Sequence, residues 1–252
     1  MRVPKPVRHA VFTVSVAVAA LVAVGCGPKE ETQKPRPRNN DTAGGQDNSN
    51  TEAPPRRRDD IVIAGLKGTI DAAAVEKALN QKIRAVTACR RQHIGAFSYV
   101  GGDVTFFFEI GMDGVPTKVF LEKSQLGHWQ MEACILGVAQ GLKFVKPKGG
   151  KAEVRYSMAL ANNGTDATDW DADKAKPTLK KKRGALRACR RGGQPKDFTL
   201  TFYVLPGGSV KTVGVASSGA LPAGFAACVA RVVKAQTFAD PLGSVARATY
   251  TY

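Results

Sequence analysis

Residues Asp103–Tyr156 recur as Asp197–Tyr250 without a gap, and this duplication constrains the fold more than any other feature of the chain. Identical pairs include Asp103/Asp197, Thr105/Thr199, Phe108/Phe202, Gly114/Gly208, Ser124/Ser218, Cys134/Cys228, Phe144/Phe238, Pro147/Pro241 and Tyr156/Tyr250. Upstream, Ala88-Cys89-Arg90-Arg91 returns as Ala188-Cys189-Arg190-Arg191, with a longer loop around His93 in the first copy. Self-similarity of this kind means that one supersecondary unit is present twice.

Each copy reads helix, strand, strand, helix, strand. In the first, Val75, Leu79, Ile83, Val86 and Cys89 recur at helical spacing, with Thr69 and Asp71 placed to cap the start. Val104, Phe106, Phe108 and Ile110 then alternate as a strand, matched by Phe198, Leu200, Phe202 and Val204. The turns Gly111-Met112-Asp113-Gly114 and Leu205-Pro206-Gly207-Gly208 send the next strand back antiparallel. Met131, Cys134, Ile135, Val138 and Leu142 form a second amphipathic helix, mirrored by Phe225, Cys228, Val229 and Val232. A closing strand holds Val154, Tyr156 and Met158, or Ala248, Tyr250 and Tyr252. The expected class is α+β: two tandem domains, each a three-stranded antiparallel sheet with two helices on one face.

Everything before Ile61 reads differently. Arg2, Lys5 and Arg8 precede an uncharged apolar run from Val11 to Gly25, and Cys26 follows among small residues. A basic start, a short apolar stretch and a small-residue cleavage site make a secretory signal peptide over 1–25. The run is short for a membrane span, which wants about 20 apolar residues. Ala23 to Cys26 resembles the bacterial lipobox, which implies acylation of Cys26 and anchoring in a lipid bilayer; ordinary cleavage after Ala19 is the alternative. Gly27 in place of Asp points to the outer membrane, facing the periplasm. Residues 27–60 hold almost no large apolar side chain and are expected to form a disordered tether. The domains are then 61–161 and 175–252, joined by a linker at 162–174.

The repeated residues resemble the C-terminal domain of TonB. That family has the same order of elements, a Gly-containing turn between its first two strands (here Gly114 and Gly208), and a Ser-Ser-Gly-like stretch after the second (Ser217-Ser218-Gly219). It also ends its last helix in a Phe-Pro-like sequence, here Phe144…Pro147 and Phe238…Pro241. The paired cysteines are similar to the TonB-related domain of gliding-motility envelope proteins, which usually has an aromatic residue after the first cysteine where this chain has Arg90 or Arg190. The resemblance implies a TonB-like fold and peptide binding by strand addition at a sheet edge, for which the closing strands Ala152–Met158 and Ala246–Tyr252 are the expected acceptors. A lipobox-like stretch stands where TonB has a transmembrane helix, so coupling to an inner-membrane motor is not expected.

With Cys26 acylated, the remaining four of the five cysteines can pair, in three connectivities. Both helices of a copy lie on one face of its sheet, which predicts Cys89–Cys134 and Cys189–Cys228. Metal ligation and a catalytic thiol are the competing readings. Neither His93 nor His128 has an equivalent in the second copy, which disfavours both. Asp166, Asp169, Asp171 and Asp173 cluster in the linker, but Lys174 and Lys180 stand where an EF-hand loop needs Gly and Glu. No catalytic residues, cofactor or metal are expected, and the chain is read as a non-enzyme.

The net charge of +16 is uneven, with fourteen cations against six acids in residues 162–252. Lys77, Arg84 and Arg91 share one helix face, as do Lys176, Lys180, Arg183 and Arg187. An ordinary solvated face and a contact for anionic cell-wall polymer or headgroups both fit these stripes. An exported chain does not meet nucleic acid. The expected function is a membrane-anchored periplasmic adaptor that binds an envelope protein partner, with a tether to peptidoglycan or acidic polysaccharide as the alternative.

Overall fold

The two copies fold alike, and the glycines of their first hairpins show why. Strands β2 (Gly102–Ile110) and β3 (Pro116–Ser124) are joined by a turn in which Gly111 N–H donates to Val115 O and Gly114 N–H to Gly111 O. Strands β6 (Phe198–Val204) and β7 (Val210–Ser217) are joined by the matching bonds, Leu205 to Ser209 and Gly208 to Leu205. Gly114 sits at φ +84° and Gly208 at φ +82°, a region open to glycine. A Cβ on either would overlap a carbonyl oxygen, Phe144 O in one copy and Phe238 O in the other. Both glycine carbonyls in turn accept from those phenylalanine N–H groups, at 2.9 and 2.8 Å. The turn therefore ties the hairpin to the segment after the last helix, twice over.

The structure is a computed structural model that describes residues 61–65, 68–95, 97–190 and 197–252, so Cys26 and the expected signal peptide and tether lie outside the described residues. The class is mixed α+β, with two sheets. In the first copy, β4 (Ala152–Leu160) pairs antiparallel with β2, and β2 with β3. In the second, β8 (Ala246–Thr251) pairs antiparallel with β6, and β6 with β7. These are the three strands of each repeat.

Each sheet has a fourth strand as well. β1 (Ile61–Gly65) adds to β4 antiparallel, giving the order β1-β4-β2-β3. β5 (Thr168–Trp170) adds to β8 parallel, giving β5-β8-β6-β7. Three strands per sheet is thus too few, and the closing strands are interior rather than edge strands. Both added strands lie outside the repeated segment, so no copy-to-copy comparison reveals them. The segment expected as a linker holds β5 and the start of the next helix.

The first helix of each copy is also broken. α1 (Ala72–Asn80) ends before Lys82 and α2 (Ile83–Ile94) follows; α4 (Ala172–Lys181) ends before Lys182 and α5 (Arg183–Ala188) follows. At both joints the lysine N–H closes a tight turn on the carbonyl three residues back, Leu79 at 2.9 Å and Leu179 at 3.0 Å. The break keeps Leu79 and Val86, or Leu179 and Leu186, all facing the core. Asp71 caps α1 as expected, accepting from Ala73 and Ala74 N–H, and Asp171 caps α4.

The second helices, α3 (Trp129–Gln140) and α6 (Phe225–Lys234), are stapled to the first. Disulfides join Cys89 to Cys134 and Cys189 to Cys228, each with Cα atoms 5.7 Å apart, in the pairing the sequence predicts. Phe108 and Phe202 sit fully buried at equivalent core positions. Each contributes about 1.5–3 kcal/mol over an exposed ring.

The two copies belong to one compact unit, Pro54–Tyr252. The first copy seats the segment after β3 on the outer face of the second copy's sheet. Tyr203 and Ala216 of that face are buried within the first copy's own hydrophobic cluster.

Candidate functional site

Three features of the surface bear on binding: the junction between copies, the unfilled strand edges and the basic helices. The junction is built where the copies differ. Position 214 is glycine opposite Phe120 of copy one, Glu132 stands opposite Ala226, and Tyr203 opposite Glu109. A Cβ on Gly214 would overlap the Glu132 carboxylate, so glycine is what admits it. That carboxylate, 4% exposed, accepts from Ser124 Oγ at 2.6 Å and from Val215 N–H at 2.8 Å. Burial pushes its pKa up to about 7, against the lowering effect of those donors. Around it, Thr201 and Thr212 hydroxyls donate to Ser124 O and Gly127 O at 2.8 and 2.9 Å. Tyr203 Oη donates to Gly101 O at 3.3 Å, and burial raises that phenol's pKa.

Copy one's outer sheet face closes on itself instead, with stacked rings and ion pairs. Phe107 and Phe120 stack with ring centroids 4.6 Å apart, and the Arg155 guanidinium lies 5.0 Å above Phe107 while bonding Glu122. Glu109 accepts from Lys118 at 2.6 Å, Thr117 at 2.7 Å and Lys151 at 3.1 Å. The Lys118 bond leads in holding its carboxyl down to about 2.

The junction also settles two histidines. His128 caps α3, its Nδ1 accepting from Met131 N–H at 3.3 Å, and burial lowers its pKa. His93 lies 6.2 Å from it, ring to ring. Cys89 is disulfide-bonded, so it makes no thiolate with His93. The four linker aspartates go to separate partners: Asp166 to Asn162, Asp169 to Arg247, Asp171 to the α4 cap and Asp173 to Lys176. Among the described residues no group of three or more His, Cys, Asp or Glu is placed to hold a metal ion. No described helix is long and apolar enough to cross a membrane.

The strand edges differ from expectation in a useful way. β3 and β7 lie against each other at the junction. β1 covers β4 from Ala152 to Tyr156, whereas β5 covers only Ala246 to Ala248 of β8. The parallel register takes the outward N–H of Thr249 on Trp170 O, and beyond it no described strand pairs with the outer side of β8. Phe198 and Tyr252 exchange both backbone bonds, at 2.9 and 3.5 Å. In an antiparallel pair such residues alternate with ones whose N–H and C=O point the other way, so those of Thr249 and Thr251 face outward. Both residues are exposed.

The expected basic residues are all exposed but do not form two straight stripes. Lys77 is on α1, with Arg84 and Arg91 on α2; Lys176 and Lys180 are on α4, with Arg183 and Arg187 on α5. The second set meets the open edge. Tyr252 Oη donates to Arg183 O at 3.1 Å, and the Arg183 and Arg190 guanidinium carbons lie 5.9 and 5.2 Å from the Tyr252 ring. At the other end, Lys174 Nζ is 5.5 Å from the ring of Trp170, the residue where β5 stops.

No known protein family, curated protein or solved structure matches this chain.

Proposed function

We propose that this chain is a non-enzymatic adaptor of the bacterial envelope, held to the outer membrane on its periplasmic side by acylated Cys26. Its two TonB-like modules dock an extended segment of a protein partner by strand addition. The observation that carries this reading is the way both closing strands already take a strand from outside the repeat. β1 enters antiparallel and β5 parallel at the same edge, so the edge recognises backbone more than side-chain sequence. The Thr249 carbonyl and the Thr251 N–H and carbonyl are the part of that edge left open beside β5. An unpaired row of outward N–H and C=O groups is a template for one more strand. The disulfides and the buried junction keep the acceptor rigid, which lowers the ordering cost of binding.

The test is selection of a displayed random octapeptide library on the mature chain, followed by binding to the Thr251→Pro variant. Proline removes the outward N–H at 251 and leaves the β6 ladder bonds in place. Enriched clones that lose binding to Thr251→Pro support strand addition; clones that bind both proteins equally refute it. A second reading rests on the exposed cations of α1, α2, α4 and α5, which suit an anionic wall polymer. It predicts binding to purified peptidoglycan that falls steeply between low and moderate salt and is indifferent to Thr251→Pro.

A further inference from the structure

We infer that the partner segment taken at Thr249–Thr251 is acidic, an inference that rests on the strand-addition reading above. The open edge is short, and cations bracket it. Lys174 stands over Trp170 where β5 ends, and Arg183 and Arg190 stand by Tyr252 where β8 ends. α4 packs against β8 and carries exposed Lys176 and Lys180 past the same side of the module. From Asp171 to Arg190 the chain holds eight cations and two acids. Both acids are engaged, Asp171 in capping α4 and Asp173 with Lys176 at 3.2 Å. Asp169 is bound by Arg247 at 2.7 Å, and one exposed acid, Asp197, precedes Phe198 where that residue pairs with Tyr252.

A strand laid along Thr249 and Thr251 directs alternate side chains to opposite faces of the sheet. On the helix-bearing face they meet the α4–α5 cations. Glutamate or aspartate at every second position answers that field, whereas lysine there is repelled. The corresponding stretch of copy one offers a weaker field, with four cations and two acids from Asp71 to Arg90. Beside Ala159 and Leu160 lies a polar cleft of about 540 Å³ lined by Asp103, Asp166 and the Asp169–Arg247 ion pair. The charge distribution thus assigns the acidic strand to the second copy.

The test uses the same octapeptide selection on the mature chain and a charge-reversed variant, K180E/R183E. The expected result is a pool enriched in Asp and Glu at alternate positions. Its clones should bind the wild type at least tenfold more tightly than K180E/R183E in 0.1 M salt, with the gap narrowing at 0.5 M. A pool without acidic bias that still loses binding to Thr251→Pro overturns the acidic assignment and leaves strand addition standing. Acidic clones that bind Thr251→Pro as well as wild type overturn the strand and point to a polyanion polymer. Should K180E/R183E fail to fold, Lys180→Gln with Arg183→Gln supplies the comparison, with a smaller loss expected in the same direction.

Discussion

Replacing Glu132 by glutamine should make the protein more stable at pH 8, although it removes a buried, fully bonded side chain. The carboxyl is enclosed by both copies, and its pKa is carried from an ordinary 4.5 to about 7. Between those values the folded chain keeps a proton that the unfolded chain has released. Its contribution is therefore complete below about pH 4.5 and lost as pH rises through 7. At about 1.4 kcal/mol per pH unit, the ionised carboxylate at pH 8 costs roughly 3 kcal/mol relative to its neutral form. Glutamine is neutral at every pH and has the same shape, but it gives up one acceptor oxygen where Gly127 and His128 N–H also bond the carboxylate. Its Oε1 accepts from Val215 N–H, and its amide donates to the Ser124 hydroxyl, which accepts there instead of donating. The gain at pH 8 is therefore bounded at roughly 3 kcal/mol, or about 6–12 °C in Tm at 2–4 °C per kcal/mol, less the cost of donors that meet the amide instead of an oxygen. At pH 5 the two proteins should agree within about 1 kcal/mol. Thermal and urea unfolding with disulfides intact, at pH 5 and pH 8, measure this. His128 acts in the opposite sense, its lowered pKa destabilising the folded state as pH falls below 6.5. It is common to both proteins, so the difference isolates Glu132. A wild type and variant that stay equally spaced at both pH values would refute the reasoning.

Three other outcomes are expected. Gly214→Ala should destabilise by about 1–3 kcal/mol through overlap with the Glu132 carboxylate, and much of that loss should vanish in a Glu132→Ala background, as a double-mutant cycle by urea unfolding would show. Replacing Cys89 and Cys134 by alanine should cost roughly 4 kcal/mol for a bridge across 45 residues, read from the urea midpoint. Mass spectrometry of the mature N-terminus should find Cys26 carrying acyl chains; an unmodified Cys26, or a start elsewhere, would overturn the anchoring proposal.

What the sequence made legible was whatever occurs twice. Alternation in Val104–Ile110, the Gly114 and Gly208 turns and the cysteine spacing each came with a second instance, and elements and bridges followed. β1 and β5 escaped because five and three residues give almost no periodic signal, and they pair through backbone rather than pattern. The helix breaks escaped because Leu79 and Val86 hold the same face whether or not the helix bends at Lys82. The junction escaped for a different reason: a duplication read for its identities suggests two equal domains. Its signal lay in the departures. Gly214 facing the place of Phe120, Glu132 that of Ala226 and Tyr203 that of Glu109 mark the surface where one copy receives the other. The basic residues were visible individually, but their closeness to Tyr252 depends on the fold of β8 against α4 and α5.

The most direct test of the adaptor account is amide hydrogen exchange at β8, followed by NMR on the mature chain with and without a selected octapeptide. Strand addition predicts that the outward amide of Thr251 slows at least tenfold on binding, while Thr249, whose N–H already meets Trp170 O in the β5 ladder, changes little. Tyr250, whose N–H already faces Leu200 across the β6 pair, should change little. Unchanged exchange at Thr251, with effects confined to α4 and α5, would contradict it.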